Sequence, residues 1–210
     1  GGLMASGLLN VVGEHMNGLQ IAGIANITAS KLNGVQIALC NYVTQACGLQ
    51  IGLVNYYKED MKGFQLGLVN ANPDTRVQMM VYGGNATPVN IGVRFKNQLF
   101  YTILGVGSMY QGLNDKFSAS ASYRAGLSFP LYKGLSISGD LGYQHIEAFD
   151  NKDEVIPKRL YALQARANLE YQFIRKFGIY ATGGYGLTRF YNKSSNYDKG
   201  AIIEAGIVLF

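Results

Sequence analysis

The chain has 210 residues and a net charge of +5, and 48 % of its residues are hydrophobic while only 15 % are charged. Because no stretch approaches the ~18 consecutive apolar residues of a membrane-spanning helix, a helical membrane protein is excluded. Lys and Arg are scattered rather than gathered in a basic block, so we expect no nucleic-acid partner.

The first 75 residues contain an internal repeat. Its units are GLQIAGIAN (18–26), GVQIALCN (34–41), GLQIGLVN (48–55) and GFQLGLVN (63–70), at spacings of 16, 14 and 15 residues. A repeat of ~15 residues fits one strand of about ten residues and a turn of about five in a β-barrel. It also fits one rung of a β-solenoid, whose coils stack on their neighbours. We favour barrel strands because each unit keeps the same alternation, and we predict them at 3–12, 17–27, 32–43, 47–57 and 62–71.

Two cysteines, Cys40 and Cys47, flank a predicted hairpin turn at 43–44. The periplasm and the cell surface permit disulfides. By parity Cys40 shares a face with Gln36, whereas Cys47 shares the opposite face with Leu49. We therefore expect the two thiols to be unpaired, unless a bulge shifts the register.

From residue 76 onward, apolar residues alternate with polar or small ones over long segments. In LYALQARANLEYQF (160–173), every second residue from Tyr161 to Phe173 is apolar. Such alternation is typical of a strand with one apolar and one wet face. The longest segments exceed the ~5–6 residues of globular strands and suffice for the ~9–11 residues that cross a bilayer. We predict strands at 76–84, 88–96, 98–110, 117–130, 134–149, 158–173, 176–191 and 200–210.

The connections between these strands alternate in length. Long polar connections are predicted at 111–116, 150–158 and 192–199, and tight ones at 96–98, 131–134 and 174–176. This is typical of a barrel with long outer loops and short periplasmic turns. Thirteen strands are counted, and bacterial single-chain barrels have even numbers. We therefore predict one all-β domain over 1–210, a transmembrane antiparallel up-and-down β-barrel of about fourteen strands, with its first strand before Gly1; twelve strands is the alternative.

The inward face of this barrel is the predicted site. Its polar members are Arg94, Lys96, Arg124, Asp140, Gln164, Arg166, Asn168, Glu170, Gln172 and Glu204. Both signs of charge are present, which favours pairing across the lumen over the single-sign ring of a selective pore. Other inward residues are small, and in a wide barrel they leave space for water or a segment of another molecule. In LFYTILGVGSMY (99–110), Phe100, Leu104 and Val106 are predicted on the lumen side.

Aromatic residues cluster near the predicted strand ends. The expected girdle consists of Tyr110, Phe117, Phe149, Tyr161, Phe190 and Tyr191 near the outer ends, and of Phe129, Tyr132, Tyr171, Phe173 and Phe177 near the periplasmic ends. Such rings belong at the boundaries between bilayer and water. We therefore expect outer-membrane lipids as partners.

In its alternating strands, its connection lengths and its aromatic girdle, the chain resembles Gram-negative outer-membrane β-barrel proteins. Its amino-terminal third resembles outer-membrane and surface proteins that bear GLQIGLVN repeats, matched most closely at 48–55 and 63–70. Phe210 resembles the carboxy-terminal aromatic residue that the outer-membrane assembly machinery reads as a folding signal. The resemblance implies an integral outer-membrane location and an architecture, which does not fix a function.

Residues that carry chemistry are sparse. His145 shares a face with Glu147, but Ser136 and Ser138 lie at least seven residues away with opposite parity, so a nucleophile and its base do not meet. We expect no enzymatic activity, no cofactor and no metal site.

Three functions are considered. The first is a non-enzymatic, structural or accessory subunit of an outer-membrane complex for assembly, export or uptake, with other outer-membrane proteins or surface lipoproteins as partners. The alternative is a passive channel for small polar solutes, and a remote alternative is a lipid-modifying barrel enzyme that uses His145.

Overall fold

The computed structural model describes residues 1–108, 110, 113, 117–149, 159–174, 176–192 and 195–210. The chain divides into two compact units, Gly1–Thr75 and Arg76–Phe210. The predicted long connection at 150–158 lies outside the described residues, as does most of the one at 111–116. In the described part of the chain, no helix is long and apolar enough to cross a membrane.

The amino-terminal unit is a stack of parallel strands. They are β1 (Gly2–Ser6), β2 (Leu9–Val12), β3 (His15–Ala22), β4 (Ala25–Ile37), β5 (Cys40–Ile51), β6 (Val54–Leu66) and β7 (Val69–Ala71). Successive strands pair in the order β1-β3-β4-β5-β6-β7, and β2 pairs with β4. Every pairing joins residues 14 to 16 positions apart, so that equivalent positions of the repeat lie above one another. This is the arrangement of a β-solenoid, in which each coil contacts its neighbours.

The prediction that the repeat units are barrel strands is therefore wrong, and the solenoid alternative is correct. The predicted hairpin turn at 43–44 lies inside the single strand β5, where the register shifts between Val43 and Gln45. Cys40 and Cys47 are exposed and unpaired, as expected. A further repeat unit begins at Gly2, which is in register with Gly18.

Two ladders of amide side chains run through the interior of the solenoid. Gln20, Gln36, Gln50 and Gln65 are joined by Nε2–H···Oε1 hydrogen bonds of 2.8, 2.9 and 2.8 Å. Asn10, Asn26, Asn41, Asn55 and Asn70 are joined by Nδ2–H···Oδ1 bonds of 3.0, 3.0, 2.9 and 2.9 Å. Elsewhere in the interior, Met16, Leu32, Val43 and Ala46 form an apolar cluster. Amide side chains form such ladders in stacked, in-register strands because each carries a donor and an acceptor.

The carboxy-terminal unit is a closed antiparallel barrel. Its strands are β8 (Arg76–Gly84), β9 (Val89–Asn97), β10 (Phe100–Ser108), β11 (Ser118–Tyr132), β12 (Leu135–Ala148), β13 (Arg159–Ile174), β14 (Phe177–Phe190) and β15 (Asn196–Leu209). They follow the order β10-β11-β12-β13-β14-β15-β8-β9. The pairing of β15 with β8, from Glu204↔Gly84 to Leu209↔Met79, closes the ring.

The barrel has eight strands, so the prediction of about fourteen, with twelve as the alternative, is wrong. The eight strands predicted after residue 76 are present, each within four residues of its predicted ends. The error comes from the first 75 residues, which contribute no strand to the barrel. Closure gives each of the eight barrel strands a paired neighbour on both sides, so none of these strands is an edge strand.

The two ends of the barrel differ. Arg76 and Phe210 lie at the end that carries the short turns after β9, β11 and β13. The opposite end carries the connections after β8, β10, β12 and β14. The outward face is apolar over most of its area, with Val106 62 %, Leu141 71 % and Ile203 67 % exposed.

The stacked glycines that open each coil generate a testable prediction. Gly48 has φ +144°, and a Cβ on it would lie 1.9 Å from the carbonyl oxygen of Gly34 in the adjacent coil. Gly13 has open space around its Cβ position. We expect Gly48→Ala to lower the free energy of unfolding of the solenoid by about 2–4 kcal/mol, because the clash and the strained φ must both be accommodated.

Limited proteolysis of the full chain under increasing urea measures this effect, with Gly13→Ala as the matched control. Equal resistance of the two variants would contradict the coil stacking.

Candidate functional site

The barrel lumen holds a cluster of charged and amide side chains. Eight of the ten residues predicted to face inward are buried there: Arg94, Arg124, Asp140, Gln164, Arg166, Asn168, Glu170 and Glu204. The six charged members comprise three arginines and three carboxylates, so the formal charges balance. Balanced, paired charges are the condition under which ionised side chains tolerate burial.

One ion pair spans the lumen from wall to wall. Arg94 on β9 and Glu170 on β13 lie on opposite sides of the eight-stranded ring. Arg94 Nη1 is 2.7 Å from Glu170 Oε2, and Arg94 Nη2 donates to Glu170 Oε1 at 3.0 Å. Arg94 Nε also donates to Gln78 Oε1 at 2.6 Å. A bidentate arginine–carboxylate pair fixes both side chains in one geometry, and here it places them across the pore axis.

A second group of contacts is centred on Asp140. Arg124 Nε and Nη2 donate to its two oxygens, each at 2.8 Å. Tyr101 and Asn168 donate to Asp140 Oδ2, also at 2.8 Å. The carboxylate of Asp140 is not exposed to water. The hydrogen bonds that it accepts from these donors stabilise its negative charge instead.

Glu204 lies between the remaining arginine, Arg166, and Arg124. Arg166 Nη2 donates to Glu204 Oε1 at 3.2 Å, and Arg166 Nε is 3.2 Å from Oε2. Arg124 Nη1 approaches the same Oε2 at 3.7 Å from the opposite wall. These last two contacts have ion-pair distances without hydrogen-bond geometry, so Glu204 acts on them mainly through its charge.

The charged cluster fills the middle of the barrel. The cavity among Arg94, Tyr101, Arg124, Asn168 and Glu170 is about 10 Å³, barely the volume that one water occupies. A cavity of about 340 Å³ lies at the loop end and one of about 190 Å³ at the short-turn end. Among the described residues, the lumen thus has a vestibule at each end and a closed waist between them. The expectation of a wide lumen with free space is wrong, because eight strands enclose only enough room for their own side chains.

The other two predicted lumen residues lie at the short-turn vestibule. Lys96 Nζ donates to Ser128 Oγ at 2.9 Å, and Gln172 lines the same cavity. Phe210 also lines it and packs against a cluster that includes Met80 and Val208.

The predicted parity of one strand is wrong. On β10 it is Tyr101 and Ile103 that are buried inside, whereas Val106 is 62 % exposed on the outer face. Phe100 and Leu104 share the parity of Val106, so none of the three lies on the lumen side. Tyr101 was therefore missed as a site residue, although its hydroxyl completes the contacts of Asp140.

Most of the predicted girdle aromatics lie on the outer surface near strand ends. Phe117, Phe129, Tyr132, Phe149, Tyr171, Phe173 and Tyr191 are exposed, while Tyr161 and Phe177 are half-buried against neighbouring rings.

Two of the expected girdle residues are not part of it. Tyr110 is buried in a cluster with Leu113, Ile146 and Leu160, and its hydroxyl hydrogen-bonds Thr188 Oγ1 at 2.7 Å. Burial raises the pKa of Tyr110 above its ordinary value. Phe190 packs against the same cluster.

The candidate catalytic histidine faces outward. His145 Nδ1 is 2.7 Å from the Tyr191 hydroxyl, and Nε2 is 3.2 Å from Glu147 Oε2. Arg159 Nε donates to Glu147 at 3.0 Å. Ser138 is buried inside, where its hydroxyl accepts from Asn168. Among the described residues, the histidine therefore has aromatic and charged partners and no serine nucleophile, and no group of metal ligands is present there either.

The solenoid presents a surface that is unusual in its polarity. Amides occupy its interior, whereas large apolar side chains point outward, including Leu3 at 67 % and Phe64 at 74 % exposure. Exposed apolar surface of this extent marks a place that contacts another molecule or a membrane.

No protein-family model and no curated protein matches the chain. Among solved structures, a de novo designed transmembrane β-barrel is 15 % identical with a TM-score of 0.42, and the match covers 65 % of this chain and 95 % of that one. The amino-terminal barrel domain of Pseudomonas aeruginosa OprF is 15 % identical with a TM-score of 0.41, covering 63 % and 93 %. The Yersinia pestis outer membrane protein Ail is 15 % identical with a TM-score of 0.40, covering 65 % and 99 %. The likeness is to the fold of these barrels.

The pair across the lumen leads to a second prediction. We expect Glu170→Gln to destabilise the barrel by about 3–5 kcal/mol, because it leaves the buried Arg94 without its counter-charge. The double variant Arg94→Gln and Glu170→Gln removes both charges and should recover most of the loss. Urea unfolding in lipid vesicles measures both. A single variant as stable as the double variant would contradict the pairing.

Proposed function

We propose that this chain is a non-enzymatic outer-membrane protein whose barrel is a closed anchor and whose solenoid provides the contact surface of a subunit in a larger assembly. The observation that carries the proposal is the waist of the barrel, where ion pairs across the lumen leave a cavity of only about 10 Å³. A barrel that is filled in this way can hold a chain in a membrane without conducting.

Membrane insertion is supported by the outer face of the barrel. Its strands are 9 to 16 residues long, and ~9–11 tilted residues cross a bilayer. The outward side chains in the middle of the strands, such as Leu141, Leu163 and Leu169, are exposed and apolar. Closure of the ring satisfies the backbone groups without water, which hydrocarbon requires of any spanning structure.

The passive channel has less support. A path for solutes would need the Arg94–Glu170 and Arg124–Asp140 pairs to separate together. Each of these pairs is held by two hydrogen bonds or more. Separating them would leave ionised groups unpaired in a narrow lumen, which is costly.

The lengths of the connections support a proposed sidedness of the chain. Short turns of outer-membrane barrels face the periplasm. Arg76 and Phe210 lie at the short-turn end, so the residues before Arg76 are proposed to be periplasmic. Partners of the solenoid would then be outer-membrane proteins with periplasmic surfaces or lipoproteins that face the periplasm.

The closed anchor predicts electrical silence. Purified protein in a planar bilayer should show no steady openings under conditions in which a porin conducts, because the waist has no continuous water path. The same protein, extracted from native membranes in mild detergent, should elute with partner subunits at fixed stoichiometry. Steady ohmic openings together with a lone monomer would favour the passive channel instead.

The proposed sidedness can be tested with the native thiol Cys47, which is exposed. In a Cys40→Ser background, a membrane-impermeant maleimide should label Cys47 only after the outer membrane is permeabilised. The control is Asn192→Cys in a chain that lacks both native cysteines, because Asn192 lies at the loop end and should react in intact cells. Labelling of Cys47 in intact cells would refute the orientation.

A further inference from the structure

One edge of the solenoid carries a row of exposed apolar side chains, here called the leucine row. It consists of Leu8, Ile24, Leu39, Leu53 and Leu68, whose side chains are 66, 53, 49, 48 and 39 % exposed. They occupy equivalent positions of successive coils, at the turn that follows the GLQI segment of each repeat. The row runs the length of the unit without an intervening charge.

The charged residues of the coils are confined to the opposite edge, near the register shifts within β4 and β5; this edge is here called the charged turn. They are Glu14, Lys31, Lys58, Glu59, Asp60 and Lys62. His15, Lys31, Gln45 and Asp60 lie in register at that turn. Five to seven residues separate the two turns, which at ~3.3 Å per residue is about 16–23 Å. The coils are thus amphipathic along their width.

Two tyrosines lie between these extremes. Tyr42 and Tyr56 stack at 5.7 Å with an angle of 7° between their rings. Each follows a member of the leucine row, Leu39 or Leu53, by three residues, or about 10 Å. The order is therefore apolar row, tyrosine pair and charged turn. Tyrosine is enriched at the depth where a membrane meets water, and interfacial elements bury their apolar side by ~5–10 Å.

The polar backbone groups of the apolar turn are satisfied inside the solenoid. Cys40 N donates to Ile24 O at 2.9 Å, and Leu53 N donates to Leu39 O at 2.8 Å. The asparagine ladder takes up further carbonyls, since Asn41 Nδ2 donates to Ile51 O at 2.8 Å. Surface turns normally leave such groups to water. A turn that leaves few of them to water meets the requirement for entering hydrocarbon.

From these observations we propose that the leucine row inserts into the acyl-chain layer of a membrane leaflet, with Tyr42 and Tyr56 at the headgroup level and the charged turn in water. The occupant of the apolar edge is lipid hydrocarbon rather than a protein groove. A protein interface would be expected to surround its apolar centre with a polar rim, whereas here polarity changes in one direction only. The inference rests on the proposed membrane location of the chain.

The test uses the full chain with Cys40→Ser and Cys47→Ser, labelled with an environment-sensitive dye at one new cysteine. The reporter positions are Leu53→Cys in the leucine row and Lys58→Cys at the charged turn, on the strand β6 that follows Leu53. Ile24→Cys is a second position in the row, so that a local defect in one coil does not decide the result. Leu141→Cys on the outer face of the barrel reports insertion of the barrel itself.

The protein is reconstituted into phosphatidylethanolamine and phosphatidylglycerol vesicles that carry nitroxide groups on the acyl chains. We expect the Leu53 and Ile24 probes to lose fluorescence as strongly as the Leu141 probe, and the Lys58 probe to keep it. If the Leu141 probe is quenched but those of the leucine row are not, the inference is overturned, whereas the proposal that the barrel is a membrane anchor is kept. A blue-shifted yet unquenched Leu53 probe would assign the row to a protein contact. An unquenched Leu141 probe would overturn the proposed membrane location itself.

Discussion

A polar group removed from water must find its partner within the protein, and this constraint shapes both units of the chain. The barrel satisfies its backbone by closing an antiparallel ring, and the solenoid satisfies its own by stacking parallel coils. In both units hydrogen-bonded polar side chains occupy much of the interior, and apolar side chains cover much of the outside. Water-soluble β-proteins have the opposite arrangement.

The number of strands decides what the lumen can be. With eight strands, Arg94 and Glu170 meet from opposite walls at 2.7 Å. The same side chains in a fourteen-stranded ring would be too far apart to touch and would line a water-filled space. The narrow ring brings the three arginines and the three carboxylates of the waist together. Because they pair there, the described residues of the waist bury no unpaired charge. Such pairs add little to stability compared with apolar packing, but they strongly disfavour any arrangement that separates them.

Alternation along the sequence was sufficient to locate the barrel strands and most of their inward residues. It could not distinguish antiparallel barrel strands from stacked solenoid coils, because both alternate with a period of two. The signal that separates them was present in the repeats themselves. A glutamine recurs at 20, 36, 50 and 65, and identical amides at one position are favoured where coils lie in register. The alternation did not show which residues of β10 face the lumen, because Phe100 and Tyr101 are both aromatic. Only the burial of Tyr101 in the structure shows that it is the one that faces Asp140.

The interior of the barrel contains paired charged side chains, whereas the interior of the solenoid contains ladders of amide side chains. A ladder of like charges would repel itself, whereas an amide donates to one neighbour and accepts from the other, so it can be repeated coil after coil. In the glutamine ladder each Nε2 donates towards the first coil, as from Gln36 to Gln20. In the asparagine ladder each Nδ2 donates towards the last coil, as from Asn10 to Asn26. The dipoles of the two ladders therefore oppose each other. The glutamine ladder ends where Met4 replaces the next amide, which leaves Gln20 Nε2 as a buried donor without an acceptor. An unsatisfied buried donor costs free energy, so the contact between the first two coils is less favourable than a continued ladder would make it.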